Sequence, residues 1–320
     1  MVRLLADPWR ADHGAGAEVP FEDHVPDAEV DESVESSDWS SAVRPDAAPE
    51  RPVTFVDGVM RVELRVMAAD GDARAWGLLG SYAAGAVRCD GAANFTSEDE
   101  PVGRALVIGG RVEVPAVAIN VGACELRYEP HPSPDDSPQG LRTRLQRLML
   151  RAEQTLAVRL ADGDLVFADG PLHFDGKTEG PVIGVIKRMV RSYLDDDHSS
   201  LLPRLRPGER TPVFAFGSGR FDRYSWYQRL IPLEPRWHEL AGIVRCEVRM
   251  DVGLESAIEL ADATAQTLPR FAGRPGVDPR APQNLTPVGA LEARLRHRLG
   301  SSSFLSRSLQ AHLAEVFAHG

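Results

Sequence analysis

Two aspartates and one glutamate have the types and settings that a divalent-cation site requires. Asp57 and Asp169 each follow a short apolar run and precede a glycine, and Glu153 lies on the border of the apolar face of a helical segment. Carboxylate oxygens are the ligands that magnesium and manganese prefer. A carboxylate turned toward a core is costly unless it is paired or bound to a cation. If the two aspartate-bearing strands are neighbours, about 4.8 Å apart, their carboxylates can share one site.

Each acid also has a simpler interpretation. Asp-Gly is a common hairpin turn, so each of the two Asp-Gly pairs, taken singly, is more typical of a turn than of a ligand. Glu153 alone is typical of an exposed border residue that pairs with Arg142 or Arg159. Composition by itself leaves the choice between turns and a shared metal site open.

The segments that must position these acids alternate between strand-like and helical patterns. Strand-like runs occupy about 53–127, a proline-rich loop follows at 129–140, and apolar residues recur every three or four positions in 141–163, which predicts a helix. A further strand is expected near 164–172, the apolar segment 180–194 follows it, and more strands are expected near 212–216, 224–233 and 242–250, with further helices near 254–267, 288–299 and 304–318.

This order of segments predicts an α/β fold with a mixed five-stranded sheet flanked by helices, plus extra strands and C-terminal helices. The strand ending at Asp57 is expected to lie beside the strand ending at Asp169. Because the helix at 141–163 crosses over between them, the two strands are expected to be parallel.

Most of the net negative charge lies at the N-terminus. Residues 1–50 contain 13 Asp or Glu and three Arg, whereas residues 51–320 contain 34 acids and 33 Lys or Arg. The sequence therefore predicts an acidic, partly disordered segment, 1–50, and a folded domain, 51–320. Trp9, Phe21 and Trp39 are unusual in a disordered tail, so we expect parts of this segment to dock on the body or on a partner.

The sequence favours a cytoplasmic protein without a membrane segment. No apolar run approaches the roughly 18 residues of a membrane helix, and the acid-bearing N-terminus has no extended apolar region typical of a signal peptide. Cys89, Cys124 and Cys246 are far apart and fit neither a zinc spacing nor a disulfide framework.

Several motifs resemble the NurA nuclease family in order and spacing. They are "FVDG" around Asp57, the helix with Glu153, "LVFADGPL" around Asp169, and "GVIK" ending at Lys187. "YSWYQRL" and "AGIVRCEV" resemble the family's strand pair with a tyrosine and an Arg-x-Glu, and "DPW" and "APQNLTPVGALEARLRHRLG" resemble bacterial branches. The resemblance spans roughly residues 50–300.

The resemblance implies an RNase H-like core and a metal-dependent DNA exonuclease or endonuclease, active in DNA end processing with Mn²⁺ or Mg²⁺. It also implies a homodimer that works with a HerA-like hexameric ATPase. By resemblance, the metal ligands are Asp57, Glu153 and Asp169, Lys187 completes the catalytic set, and Tyr227, Arg229 and Lys187 contact DNA. The simpler alternatives are a surface lysine at Lys187 and a packed strand tyrosine at Tyr227.

The chain departs from the family pattern at two places. Val59 stands where the family usually has a serine, and "PQNLTPVG" lacks the late histidine that many members carry. Asn284, Asp251 or Glu255 are the candidates to replace that histidine. These departures keep a second hypothesis open, in which the chain is a NurA-like adaptor that binds a HerA-like ATPase and DNA with weak or no catalysis.

Overall fold

A computed structural model gives the structure of the chain. It describes residues 3–7, 28–46, 51–96, 102–110, 112–161, 164–172, 180–187, 192–217 and 222–319. Among these residues, no helix has both the length and the apolar character needed to cross a membrane.

The described residues form an α/β fold around one large mixed sheet. Its thirteen strands are β1 (Arg3–Ala6), β2 (Glu29–Asp31), β3 (Val53–Asp70), β4 (Ala73–Asp90), β5 (Ala92–Phe95), β6 (Val102–Gly109), β7 (Val117–Val121), β8 (Cys124–Ser133), β9 (Leu165–Asp169), β10 (Val182–Ile186), β11 (Phe214–Gly217), β12 (Arg223–Arg229) and β13 (Ile243–Arg249). The helices are α1 (Pro138–Leu160), α2 (Asp196–Ser199), α3 (Leu254–Thr267), α4 (Thr286–Arg298) and α5 (Ser302–His319), with short 3₁₀ turns at Leu202–Arg204, Met250–Val252 and Leu268–Phe271.

The predicted fold class is confirmed: the mixed sheet is flanked by helices, and it extends by further strands beyond the five expected for its centre. The strand order is β2-β11-β12-β13-β10-β9-β3-β4-β6-β8-β7, with β1 added to β3 and β5 added to β4. The extra width arises because β3 and β4 are each 18 residues long and pair along their whole length. Their outer parts carry strands beyond the central group.

The chain makes no turn after Asp57, so the prediction that a strand ends there was wrong. β3 continues through Gly58 to Asp70, and the hairpin turn lies at Gly71, whose φ is 56°. Only a small irregularity between Val62 and Leu64 interrupts the pairing with β4. Apolar residues continue to alternate beyond Gly58, and this pattern favours an uninterrupted strand over a turn.

The predicted parallel neighbours are present at the centre of the sheet. β9 pairs in parallel with β3 from Val53↔Leu165 to Val56↔Ala168 and in parallel with β10 on its other side. β10 in turn pairs antiparallel with β13. The centre is therefore a mixed sheet in which β9, the strand of Asp169, lies between two parallel partners.

Helices cover both faces of this central part. Val56 of β3 packs with Leu156 and Ala157 of α1 in one apolar cluster. Phe55 packs with Leu291 of α4 in another cluster, which also includes residues of α3. Because successive strand residues point to opposite faces, α1 lies on one face of the sheet and α4 lies on the other. α5 completes a separate core with the outer parts of β3, β4 and β6.

Part of the acidic N-terminal segment is packed into the fold. β2 pairs antiparallel with β11, and Trp39 is only 5% exposed. The Trp39 ring stacks on His198 at 4.7 Å, and its Nε1 donates to the Glu32 carbonyl oxygen at 2.9 Å. The two carboxylate oxygens of Glu35 accept hydrogen bonds from Nη1 and Nη2 of the buried Arg210, at 2.8 and 2.9 Å. The docking prediction thus holds for Trp39, whereas Trp9 and Phe21 lie outside the described residues.

Candidate metal centre

Three carboxylates from three elements meet at the end of β9. Asp57 lies in β3, Asp169 is the last residue of β9, and Glu292 lies in α4. The parallel register pairs Val56 with Ala168, so the next residue of each strand brings Asp57 and Asp169 side by side. One carboxylate oxygen from each of the three acids lies within 4.8 Å of the others. We call this group the acid cluster.

Glu292 was not among the residues predicted from the sequence, although the sequence carries a signal for it. It lies three or four positions from Val288 and Leu295 and next to Leu291, on the border of the apolar face of its helix. The same setting singled out Glu153. In the structure Glu292 is 6% exposed, and its two oxygens accept from Arg280 at 2.5 Å and from Arg296 at 2.8 Å.

Glu153 approaches the cluster from the other face of β3. Its helix α1 packs on the face of Val56, whereas strand alternation points Asp57 toward α4. Glu153 is 4% exposed, and its Oε2 lies 3.2 Å from the position that a Cβ atom at residue 58 would occupy. Glycine at position 58 therefore leaves the space into which this carboxylate reaches. Asp57 and Asp169 therefore lie side by side as predicted, whereas Glu153 lies on the α1 side of β3 and outside the closest group of three.

Electrostatics link Glu153 to the two aspartates. Burial raises the pKa of the Glu153 carboxyl well above its usual range, and the negative charges of Asp57 and Asp169 raise it further, whereas Lys187 lowers it. Burial likewise raises the pKa of Asp57, helped by Asp169 and opposed by Lys187, and Glu292 adds to the rise. In both cases Lys187 offsets only part of the cost of ionising a buried carboxyl, and a divalent cation would offset more of it.

Asp57 also has an oxygen without a partner. Its Oδ1 accepts from the Gly58 backbone N–H at 2.8 Å, but its Oδ2 is buried and has no hydrogen-bond partner. Other buried acids are satisfied: Glu63 accepts from Arg61 and Ser81, and Glu247 accepts from Arg245 and from the Leu172 backbone. A buried, unpaired carboxylate oxygen that faces further acids fits a cation ligand. The residues of the acid cluster therefore suit a hard divalent ion such as Mg²⁺ or Mn²⁺.

Lys187 stands at the edge of the acid cluster. It directly follows β10, whose residue Val185 is in register with Asp169. Its Nζ lies 2.8 Å from Asp169 Oδ1 and donates to Asn284 Oδ1 at 3.3 Å. Asn284 in turn donates from Nδ2 to Asp278 Oδ2 at 2.6 Å. Lys187 is therefore a partner of the acid cluster and not an isolated surface lysine.

Asn284 is the suggested histidine replacement that lies beside the site. It is 2% exposed and reaches the acid cluster through Lys187. Asp251 and Glu255 are both exposed, and Asp251 pairs with Arg249 at 3.2 Å. Neither of these two acids belongs to the acid cluster.

Tyr227 and Arg229 do not form a DNA-facing surface in this structure. Tyr227 is 0% exposed and stacks on Phe214 at 5.7 Å within an apolar cluster. Arg229 is 1% exposed and donates to backbone carbonyls, including those of Leu205 at 2.6 Å and Ala241 at 2.5 Å. Both residues lie in β12, which pairs with β11 on one side and with β13 on the other, and other segments of the chain cover their side chains, so their positions fit a packing role.

A second group of possible ligand atoms joins the N-terminal segment to the body. Glu32, Asp195 and His198 lie together, and Glu32 contacts the His198 ring and accepts from the Asp195 backbone at 2.9 Å. Asp195 Oδ1 accepts from the His198 backbone N–H at 2.7 Å and so caps α2. These mutual bonds explain the group as a docking contact.

Comparison with known proteins places this geometry in a family. The model of the NurA domain family matches residues 80–286, which include Glu153, Asp169 and Lys187 but not Asp57 or Glu292. Among solved structures, the NurA nuclease from Sulfolobus solfataricus matches with 11% sequence identity and a TM-score of 0.46, over 80% of this chain and 82% of that one. No curated protein matches the chain. Because the family model matches well over half of its length, the chain belongs to the NurA domain family.

Proposed function

We propose that the chain is a divalent-metal-dependent deoxyribonuclease, which cleaves phosphodiester bonds at the acid cluster. The observation that carries this proposal is the unpaired, buried Oδ2 of Asp57 beside Asp169 and Glu292. Family membership supports a nuclease. The acids favour Mg²⁺ or Mn²⁺ as the cofactor.

Each residue of the site has a distinct task in this proposal. Asp57, Asp169 and Glu292 would hold a cation. Glu153 would supply a further oxygen ligand from the face of β3 that α1 covers. A bound divalent ion neutralises charge on the phosphate oxygens and activates water for attack. Lys187 holds the Asp169 carboxylate in place through their 2.8 Å contact. Arg280 and Arg296 do the same for Glu292 and offset part of the acid charge.

We further propose that the nuclease acts in DNA end processing with a HerA-like hexameric ATPase. Residues 51–320 are nearly neutral, with 34 acids and 33 Lys or Arg, so they have little general attraction for DNA phosphates. A partner that delivers the strand would compensate for this. The sequence has no Walker-type phosphate loop, so the energy for translocation would come from the partner. We propose a homodimer and a cytoplasmic location.

A NurA-like adaptor with weak or no cleavage is the second candidate. It is favoured by Val59 and by the absence of the late histidine from "PQNLTPVG", the segment that carries Asn284. In this alternative the acids would bind a cation for stability only. Cleavage assays separate the two functions directly.

The decisive experiment measures cleavage of end-labelled linear DNA with Mn²⁺, with Mg²⁺ and with EDTA. The wild-type protein should cut in the presence of either metal and not in EDTA. Asp57→Asn should reduce the rate by at least about 100-fold, because it removes a charged ligand from the metal-binding group. Asp251→Asn serves as the matched control, since Asp251 is an exposed acid outside the acid cluster. Equal rates for wild type and Asp57→Asn would refute the proposed active site.

A further inference from the structure

A cleft lies next to the acid cluster and is separate from it. Its cavity is about 840 Å³, within the range of ligand-binding sites, which is roughly 300–1,000 Å³. The start of β3, the turn between β4 and β5, the segment after α3 and the first turn of α4 form its walls. We call it the arginine cleft, after Arg51, Arg270, Arg274 and Arg280 in its lining.

The charges in the arginine cleft favour an anionic ligand. All four arginines are exposed. Arg51 and Arg274 make no side-chain hydrogen bond or ion pair with any other residue in the described part of the chain. The acids of the lining are already engaged: Asp90 pairs with Arg88 at 3.0 Å, and Asp278 accepts from Asn284 at 2.6 Å.

The wall of the cleft is also the wall of the metal centre. Arg280 lines the cleft and donates to Glu292 of the acid cluster at 2.5 Å. Asp278 lines it too and connects through Asn284 to Lys187. Gly289 of α4 faces the cleft, and at 1.5 Å per residue it lies only about 4.5 Å along the helix axis from Glu292. A strand seated in the cleft would therefore lie alongside residues that hold the acid cluster.

We propose that the arginine cleft binds a single DNA strand next to the phosphodiester that the acid cluster cleaves. This inference rests on the proposed nuclease function and adds the strand-binding subsite to it. Guanidinium groups bind phosphate oxygens with well-defined geometry, and the N-terminal end of α4 adds a favourable partial charge for anions. Between the arginines, Val277 is 82% exposed and offers apolar surface to a sugar or base.

The shape of the site favours a single strand over a duplex. The cleft is a concave cavity of ligand size, and the four arginines belong to its lining. Single strands bind in charged grooves in which phosphates meet cations and bases meet apolar or aromatic groups. A duplex would have to open before one of its strands entered.

The test measures binding of a fluorescent 12-nucleotide single strand by anisotropy, with Ca²⁺ as the divalent ion, from about 50 to 300 mM salt. The double variant Arg51→Gln/Arg274→Gln is compared with wild type and with Arg236→Gln. Arg236 pairs with Glu234 and is 67% exposed, outside the cleft, so it is a matched surface control. Deoxythymidine monophosphate and a blunt 12-base-pair duplex are the other two ligands.

We expect the double variant to bind the single strand about ten-fold more weakly at low salt, with a log–log salt slope smaller by about 1.4, since each lost phosphate contact removes about 0.7. The Arg236→Gln control should keep the wild-type slope. Unchanged affinity and slope in the double variant would overturn the proposal. So would an effect confined to the mononucleotide, which would make the cleft a product site, or one confined to the duplex.

The outcome separates this inference from the proposed function. Arginine-dependent strand binding by a wild-type protein that fails to cleave with Mn²⁺ or Mg²⁺ would support the cleft and refute the nuclease. Metal-dependent cleavage by the wild type, combined with unchanged strand binding by the double variant, would support the nuclease and refute the arginine cleft as the strand-binding site. The metal-induced shift in Tm should be the same in wild type and in the double variant, because neither arginine touches the acid cluster.

Discussion

Asp57 is the residue at which fold stability and proposed function conflict most clearly. It is 6% exposed, it lies beside two further acids, and one of its oxygens has no partner. Burial of an unpaired charge destabilises a fold, and such cost is typically retained at functional sites. The neighbouring buried Glu63 is held by Arg61, Ser81 and Arg104 and shows how this protein satisfies an acid with a structural role.

Asp57→Asn should stabilise the metal-free protein, because it removes a buried carboxyl whose ionisation is opposed by burial and by the neighbouring Asp169. We expect a gain of about 1–2 kcal/mol in the free energy of unfolding, as is common when a destabilising residue is replaced at a functional site. Denaturant unfolding in EDTA measures this gain. Addition of Mn²⁺ at 100 times its dissociation constant should stabilise the wild type by about 2.7 kcal/mol and the variant much less. A variant less stable than wild type in EDTA would contradict this account.

Gly58→Ala should impair cleavage while it leaves the fold in place. A Cβ atom there would stand 2.9 Å from Met149 Cγ and 3.2 Å from Glu153 Oε2. The flexible Met149 can shift, and the Glu153 carboxylate would have to move by a few tenths of an ångström. Because a misplacement of about 1 Å in an active site can cost roughly 100-fold, we expect this smaller shift to reduce the cleavage rate by about 3- to 10-fold.

The overpacking at residue 58 should cost no more than about 1–3 kcal/mol of stability. Thermal unfolding and single-turnover cleavage, measured on the same preparation, separate the two effects. Wild-type cleavage by Gly58→Ala would show that Glu153 has no part in the reaction.

Glu292→Gln should weaken metal binding, although the NurA family match does not reach this residue. Its oxygen lies within 4.8 Å of those of both aspartates. Loss of one charged ligand should raise the Mn²⁺ concentration for half-maximal cleavage by about 10- to 100-fold. Metal titration of the cleavage rate measures this, with Glu255→Gln as the exposed-acid control. An unchanged titration would show that Glu292 only pairs with Arg280 and Arg296 and does not bind the metal.

Among the elements, the N-terminal segment 28–46 has the clearest structural task. Its strand β2 extends the sheet edge, and Trp39 fills a cluster with Tyr193 and Phe216. Trp39→Ala should therefore cost about 3–5 kcal/mol of unfolding free energy, as expected for a large buried aromatic residue. Chemical denaturation checks this against Glu29→Gln, an exposed change in β2. A loss below about 1 kcal/mol would mean that the segment is a dispensable tail.

The ion pair of Glu35 and Arg210 belongs to the same element. Arg210 is 1% exposed and also contacts Asp262 at 2.6 Å. Removal of one partner of a buried pair typically costs 3–5 kcal/mol, and because Asp262 remains, we expect about 2–3 kcal/mol for Glu35→Gln. The N-terminal segment is thus acidic but partly structural, and its deletion would test folding before it tests partner binding.

For the whole molecule, the proposed assembly makes a prediction of its own. A nearly neutral body without its own nucleotide-binding loop suits a nuclease that receives DNA from a ring-shaped motor. Light scattering of the purified protein should report a homodimer, and a HerA-like ATPase should co-elute with it and accelerate cleavage in the presence of ATP. A strict monomer that neither binds nor responds to such an ATPase would refute the assembly.

The sequence by itself determined the local features of this protein. The apolar run before Asp169, the helical period around Glu153 and the crossover between two strands depend on neighbouring residues, and they correctly predicted β9, α1 and the parallel pairing of β3 with β9. The apolar runs that precede Asp57 and Asp169 also predicted that these two acids would lie side by side on neighbouring strands.

Only the tertiary structure decided which distant residues share the site. Asp57 and Glu292 are separated by 235 positions, and no periodic pattern in the sequence predicts that α4 packs over β3. The same holds for the burial of Tyr227 and Arg229, because the sequence of a strand does not reveal which other segments pack over its faces. Gly58 is the clearest case. Asp-Gly locally favours a turn, but pairing with β4, a strand of 18 residues, outweighs that preference and keeps β3 continuous through Gly58.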